Sequence, residues 1–127
     1  MISKVRNNKA AFTLVEIMIV VAIIGLLAAL AIPGFVKARK QSQGRRILND
    51  VRQMDAAIDQ WALEQGKKDG DTVVTPEAAT YLKTAWPAKD LLGNDFGGTL
   101  KVGDGQVKVA DGTKTALDGV GIDWGSY

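Results

Sequence analysis

The 127 residues hold 16 Lys and Arg against 14 Asp and Glu, with neither His nor Cys. Without Cys there is no disulfide framework and no thiolate metal site; without His as well, the Cys/His zinc patterns and the Ser-His and Cys-His catalytic arrangements are excluded. A net charge of +2 is too even for a dedicated nucleic-acid binder, and the length allows one small domain beside an apolar segment.

Met1–Ala11 is a basic leader with Lys4, Arg6 and Lys9, no acid, and the small pair Ala10-Ala11 at its end. Phe12–Val36, FTLVEIMIVVAIIGLLAALAIPGFV, is one apolar run broken by a single charge, Glu16. At about 1.5 Å rise per residue it spans roughly the 30 Å hydrocarbon core of a bilayer, so a transmembrane helix is expected. A secretory signal's apolar region is about 7–15 residues long and has its small cleavable residues on the far side. Here the small residues come first, so a cut after Ala11 would leave the run on the product as an anchor, with Phe12 as its N-terminus. A carboxylate well inside a membrane helix costs about 2.5–3.5 kcal/mol and needs a partner. The α-amine freed at Phe12 lies one helical turn from Glu16 on the same face, and serves Glu16 of the same chain or of a neighbour. The competing reading is an interfacial Glu reaching to headgroups. Further along, Gly25 and then Pro33-Gly34 weaken the helix, Pro33 by withholding a backbone donor, and a helix break is expected there.

Lys9-Ala10-Ala11-Phe12-Thr13-Leu14-Val15-Glu16, followed by an unbroken apolar stretch, resembles the prepilin N-terminus of type IV pilins and type II secretion pseudopilins; the likeness extends to about Lys40. The resemblance implies cleavage between Ala11 and Phe12 by a prepilin peptidase, N-methylation of Phe12, an assembly role for Glu16, and loss of helical regularity between Gly25 and Pro33 in the filament. It also implies self-polymerisation with inner-membrane assembly machinery. The family usually has Gly where this chain has Ala11, so slower processing is expected.

From Lys37 the composition turns basic: Lys37, Arg39, Lys40, Arg45 and Arg46 follow the run, against three bases before it. The positive-inside count alone would place the N-terminus outside. The resemblance implies the opposite, with the leader facing a cytoplasmic peptidase and the C-terminal domain on the periplasmic side of a bacterial inner membrane. Aromatic residues are absent from Lys37–Arg52, which argues against nucleic acid as the partner, and contact with membrane lipid or acidic neighbours is expected.

Ile47, Val51, Met54, Ile58 and Trp61 recur on one face of a helix, which the Gly-rich GKKDGD stretch should end near Gly66. Residues 37–66 therefore read as an amphipathic half that continues the apolar half, covered by a small domain over residues 67–127. Thr75-Pro76-Glu77 has the N-cap, Pro and acid of a short helix running through about Lys83. Trp86–Phe96, WPAKDLLGNDF, is loop-like and resembles in outline the stretch that leads into the sheet of some pilin-like proteins. Residues 99–109 carry Asp104-Gly105, a preferred hairpin turn, with Val102 facing Val107 and Leu100 facing Val109. The segment ALDGVGIDWGSY, with Trp124 and Tyr127, is expected to lie back on the domain.

No acid-base or nucleophile constellation stands out, so an enzyme is not expected. Asp90, Asp95, Asp104, Asp111, Asp118 and Asp123 are the residues a calcium ion would use, as some pseudopilins do. EF-hand spacing is absent, however, and Asp in Gly-rich turns is ordinarily turn chemistry, so no metal or cofactor is assigned, with Asp90, Asp95, Asp104 and Asp118 the weak candidates. The expected fold is α+β and pilin-like: a long N-terminal helix packed against a C-terminal domain with a short helix and an antiparallel hairpin. The expected function is a structural pilus or pseudopilus subunit; the alternative is a bitopic membrane protein that presents its domain to a partner and never polymerises.

Overall fold

A computed structural model describes residues 12–127; the leader and its cleavage residue Ala11 lie outside the described residues. The elements are α1 (Leu14–Gln65), α2 (Thr75–Ala78) continued by a 3-10 turn (Ala79–Tyr81), and α3 (Asp111–Ala116). The chain divides into two units, the first ending at Val36 and the second Lys37–Tyr127.

The first unit is the apolar part of α1. Pro33 has no N–H to give to the carbonyl of Ala29, a defect worth about 3 kcal/mol in a helix interior. Even so, α1 runs through Gly25 and Pro33 without interruption, so the break expected at these residues is not an interruption of the helix in the single chain. The bonded turns on both sides carry the helix across one missing bond.

The second unit is built on the remaining turns of α1. Gly44, Ile47, Leu48, Val51, Met54, Ala57, Ile58, Trp61 and Ala62 are its buried residues, a single stripe at helical spacing. Val73, Ala78, Val102, Val107, Val109, Leu117 and Val120 complete the core against it. Trp61 is fully enclosed, and its Nε1 donates to Glu77 Oε2 at 2.9 Å, which satisfies the one polar atom its burial would strand. Truncating a side chain so buried costs about 3–5 kcal/mol. Gly44 leaves room for Ile122: a Cβ there would lie 1.8 Å from its Cδ1, so the Ile122 side chain would have to move aside. Beside it, Gln41 Nε2 donates to the Val120 carbonyl at 2.9 Å. The helix ends where Gly66 takes φ 64° and the Lys67 N–H returns to the Ala62 carbonyl at 2.8 Å, a Schellman closure.

Two local expectations are corrected. Val74, not Thr75, is the N-cap of α2, with no side-chain cap bond, and the helical stretch ends at Tyr81 rather than Lys83. Pro76 accounts for this: its fixed φ and missing N–H suit the first turn, leaving no need for a hydroxyl cap.

The larger correction is the hairpin at 99–109, which does not form. Among the described residues there is no strand, and the WPAKDLLGNDF loop leads into no sheet; only isolated antiparallel bridges join Thr72 to Lys101, Lys89 to Asp95 and Gly97 to Lys108. Extended backbone is broken by positive φ at Gly98, Leu100, Gly103 and Gly105. Segment 100–102 turns instead to residues 70–73, through Gly70 N–H to the Val102 carbonyl (2.8 Å), Val102 N–H to Asp71 (2.9 Å) and Val73 N–H to Leu100 (2.9 Å). Alternation also fails: Gln106 and Val107 are both buried although they are adjacent. Gln106 points inward because α1 gives it partners, its Nε2 donating to the Asp55 carbonyl (3.0 Å) and to Asp59 Oδ1 (2.9 Å) while its Oε1 accepts from the Gly103 N–H (3.3 Å).

The C-terminal segment closes the core from the other side. After α3, Leu117 and Val120 are buried, and Trp124 and Tyr127 pack against the cluster. Val109 N–H donates to the Tyr127 carbonyl at 3.1 Å, and the Tyr127 hydroxyl donates to Asp55 Oδ2 at 3.2 Å. Burial first, and then the Asp55 charge, raises the Tyr127 pKa, with Arg52 opposing weakly. The unfolded chain ionises this phenol near its ordinary value of about 10 while the folded chain retains the proton. Stability from Tyr127 is therefore complete below about pH 10 and is lost as pH rises through the folded value. Tyr127→Phe is expected to flatten the fall of urea stability between about pH 9.5 and 11, leaving the contribution of Tyr81, whose pKa the Glu64 carboxylate also raises. An unchanged slope would contradict this contact.

Candidate functional site

Function concentrates on the segment that has no cover of its own. Leu14, Val15, Ile17, Met18, Ile19, Val20 and Val21, then Ile23 through Val36 except the half-buried Ala28, are exposed around α1, with Phe12 74% and Phe35 77% accessible. Scattered exposed apolar residues are normal, but a whole apolar helix surface marks a membrane or protein contact. By length and composition α1 contains a stretch able to cross a membrane.

At the start of this surface Thr13 caps the helix, its Oγ1 accepting the Glu16 N–H at 3.2 Å. Thr13-Leu14-Val15-Glu16 therefore has the spacing of a capping box, with the Thr half made. The other half is not: among the described residues the Glu16 carboxylate forms neither a hydrogen bond nor an ion pair. It faces a shallow concavity that Glu16 lines together with Phe12, Ile17, Val20 and Val21. A single carboxylate on an apolar face is costly to leave unpaired in a membrane. Sequence reasoning passed over Thr13 as a functional residue, although Thr-x-x-Glu ahead of an apolar run is a legible signal. The structure thus brings Phe12 and Glu16 to one face. Gly25 and Pro33 lie further along, and no side chain packs within 4 Å of the Gly25 Cβ position.

The proposed calcium residues are not brought together. Asp90 is buried and already engaged: its Oδ1 accepts the Leu92 (2.9 Å) and Asn94 (3.0 Å) N–H groups, and its Oδ2 the Thr113 hydroxyl. Asn94 Nδ2 donates to Thr113 Oγ1 at 2.9 Å, so this cluster ties the 90–94 loop to α3. Asp95 pairs with Lys89 at 2.9 Å, Asp118 accepts its neighbour's Gly119 N–H, and Asp104 is exposed. Among the described residues no group of three or more Asp, Glu, His or Cys is placed to hold a metal ion.

An uncovered apolar helix with a capped start and one carboxylate defines the class, a protein whose N-terminal segment makes the contacts. Residues 6–32 match the prokaryotic N-terminal methylation motif. The chain is 37% identical over 91 residues to the type IV major fimbrial protein FimA of Dichelobacter nodosus, covering 72% of this chain and 51% of that protein. It is 43% identical over 61 residues to fimbrial protein Q of Moraxella bovis, covering 48% and 38%. With the type II secretion system core protein G of Klebsiella michiganensis it shares 26% identity over 135 residues, covering 96% and 95%. These matches support a type IV pilin or type II secretion pseudopilin. It spans about half the length, or less, of the fimbrial relatives it matches. No solved structure matches it.

Replacing Thr13 by Val keeps the side-chain shape and removes the cap. Loss of such a cap costs about 1 kcal/mol, so exchange of the Glu16 amide in the detergent-solubilised chain is expected to quicken about fivefold. Unchanged exchange would mean that the bond does not hold the first turn.

Proposed function

We propose that this chain is a structural subunit of a pilus or pseudopilus, stored in the bacterial inner membrane and polymerised through α1. The observation that carries this reading is the all-round exposed apolar half of α1 with its one carboxylate, set within a methylation motif. In storage the bilayer covers that surface; in the filament, neighbouring copies do. Processing by a prepilin peptidase between Ala11 and Phe12, followed by methylation of Phe12, makes the amine that Glu16 receives. In low dielectric such a pair is strong, and its hydrogen-bonded geometry is met at only one offset between helices, so it fixes axial register between copies where apolar contacts alone would slide.

Gly25 and Pro33 are proposed to let the helix between them yield when copies pack, since the Ala29 carbonyl already lacks its intrahelical donor. The second unit, Lys37–Tyr127, faces the periplasm and then the filament surface. Alignment with core protein G over nearly the full length of both chains favours the secretion pseudopilus, whereas the fimbrial relatives align over a shorter part of this chain. No catalytic role is assigned.

Glu16→Val, expressed in the native host, is expected to be inserted and processed normally and to lose filaments from the sheared surface or pseudopilus fraction. Filaments at the level of the unsubstituted chain would contradict the role given to Glu16.

A further inference from the structure

Lys37, Arg39, Lys40, Arg45 and Arg46 are left unused by the fold. Four are exposed and Lys40 is half-buried, and none takes part in an ion pair among the described residues, where the one ion pair is Lys89 with Asp95. Local sequence offers them a partner only at the far end, where Asp50 stands four residues beyond Arg46; no Asp or Glu stands between Ile17 and Asn49. The acids of the second unit's helix begin at Asp50 and continue at Asp55, Asp59 and Glu64. This part of α1 is therefore cationic at one end and mainly acidic at the other.

Their angular placement identifies what they fit. At about 100° per residue, taking Lys37 as zero, Arg45 falls near 80°, Arg46 near 180°, Arg39 near 200° and Lys40 near 300°. A protein groove reads one face of a helix, and cations aimed at it would share that face. These surround it. Along the axis, Lys37, Arg39 and Lys40 rise over about 5 Å, and Arg45 and Arg46 follow within about 14 Å. That is the depth of a headgroup layer plus roughly one Debye length.

We infer that these five residues form a collar that gathers anionic phospholipid headgroups around the stored subunit where the apolar run ends. The inference rests on the membrane-stored reading above. Each cation near an anionic surface attracts its lipids, so the collar biases the lipids beside it as well as fixing the depth of the helix. It also gives the bases after the apolar run a role of their own, which is why their number is a poor guide to orientation.

The chain lacks cysteine, so Ala38→Cys supplies a single labelling site in the middle of the collar. The full chain, labelled there with a fluorescent donor, is reconstituted in phosphatidylcholine vesicles. Energy transfer is compared between trace acceptor-labelled phosphatidylglycerol and the same amount of acceptor-labelled phosphatidylcholine. Transfer to the anionic lipid is expected to be at least about twofold higher and to fall toward equality as salt is raised. With Lys37, Arg39, Lys40, Arg45 and Arg46 all changed to Gln, the two acceptors should become equal while the chain still floats with the vesicles. Equal transfer with the native collar, or a preference that survives the Gln substitutions, overturns the proposal. So does equal lipid transfer combined with salt-sensitive donor–donor proximity between copies, which would assign the collar to the acids of a neighbouring chain. Failure of the unsubstituted chain to float would instead overturn the membrane-stored reading and the collar with it.

Discussion

One helix with two burial demands governs this molecule. From Ile47 to Ala62, α1 presents a single apolar stripe, and the rest of the second unit closes over it with Trp61 at the centre. From Phe12 to Val36 the same helix is apolar all round, and its large side chains are at least half exposed. A stripe can be covered by one small domain, but a full cylinder can be covered only by something that encircles it. Lipid and a ring of identical helices both do so. The proposed storage in a membrane and the proposed assembly into a filament would meet that one physical requirement in two ways.

Glu16 gives direction to a surface that is otherwise non-specific. Apolar contacts between helices tolerate sliding, and a lone carboxylate does not, because leaving it unpaired in low dielectric costs several kcal/mol. Thr13 accepts the Glu16 N–H and so orders the first turn, while the Glu16 carboxylate has no partner among the described residues. In the proposed filament, that carboxylate is the group that receives the α-amine.

Much of this was legible in the residues alone. Periodicity identified the buried stripe because helix burial repeats every three to four residues and Ile47, Val51, Met54, Ile58 and Trp61 obey it. The apolar run and its acid were equally plain. The cover was harder to read. Asp104-Gly105 between Val pairs has the local chemistry of a hairpin, and two bonds do cross the turn, Thr99 N–H to Gly105 and Leu100 N–H to Gln106, but what decides the path beyond them is distant: Gln106 finds the Asp55 carbonyl and Asp59 on α1, and residues 70–73 take the Leu100 carbonyl and both backbone groups of Val102. Such contacts join residues some 50 positions apart in the case of Gln106 and Asp55, and local pattern carries no trace of them. That the C-terminal segment lies back on the domain was legible from Trp124 and Tyr127, but its path was not, since that involves Gly44 leaving room for Ile122 and Asp55 receiving the Tyr127 hydroxyl.

The central claim is that the apolar half of α1 stays on the working protein and begins at Phe12 with a free, modified amine. Mass spectrometry of the intact protein from its native host tests this most directly. The account predicts a mature chain that starts at Phe12 and carries one N-methyl group. A chain that still begins at Met1, or one cut beyond Val36 so that the apolar helix is discarded, would contradict it.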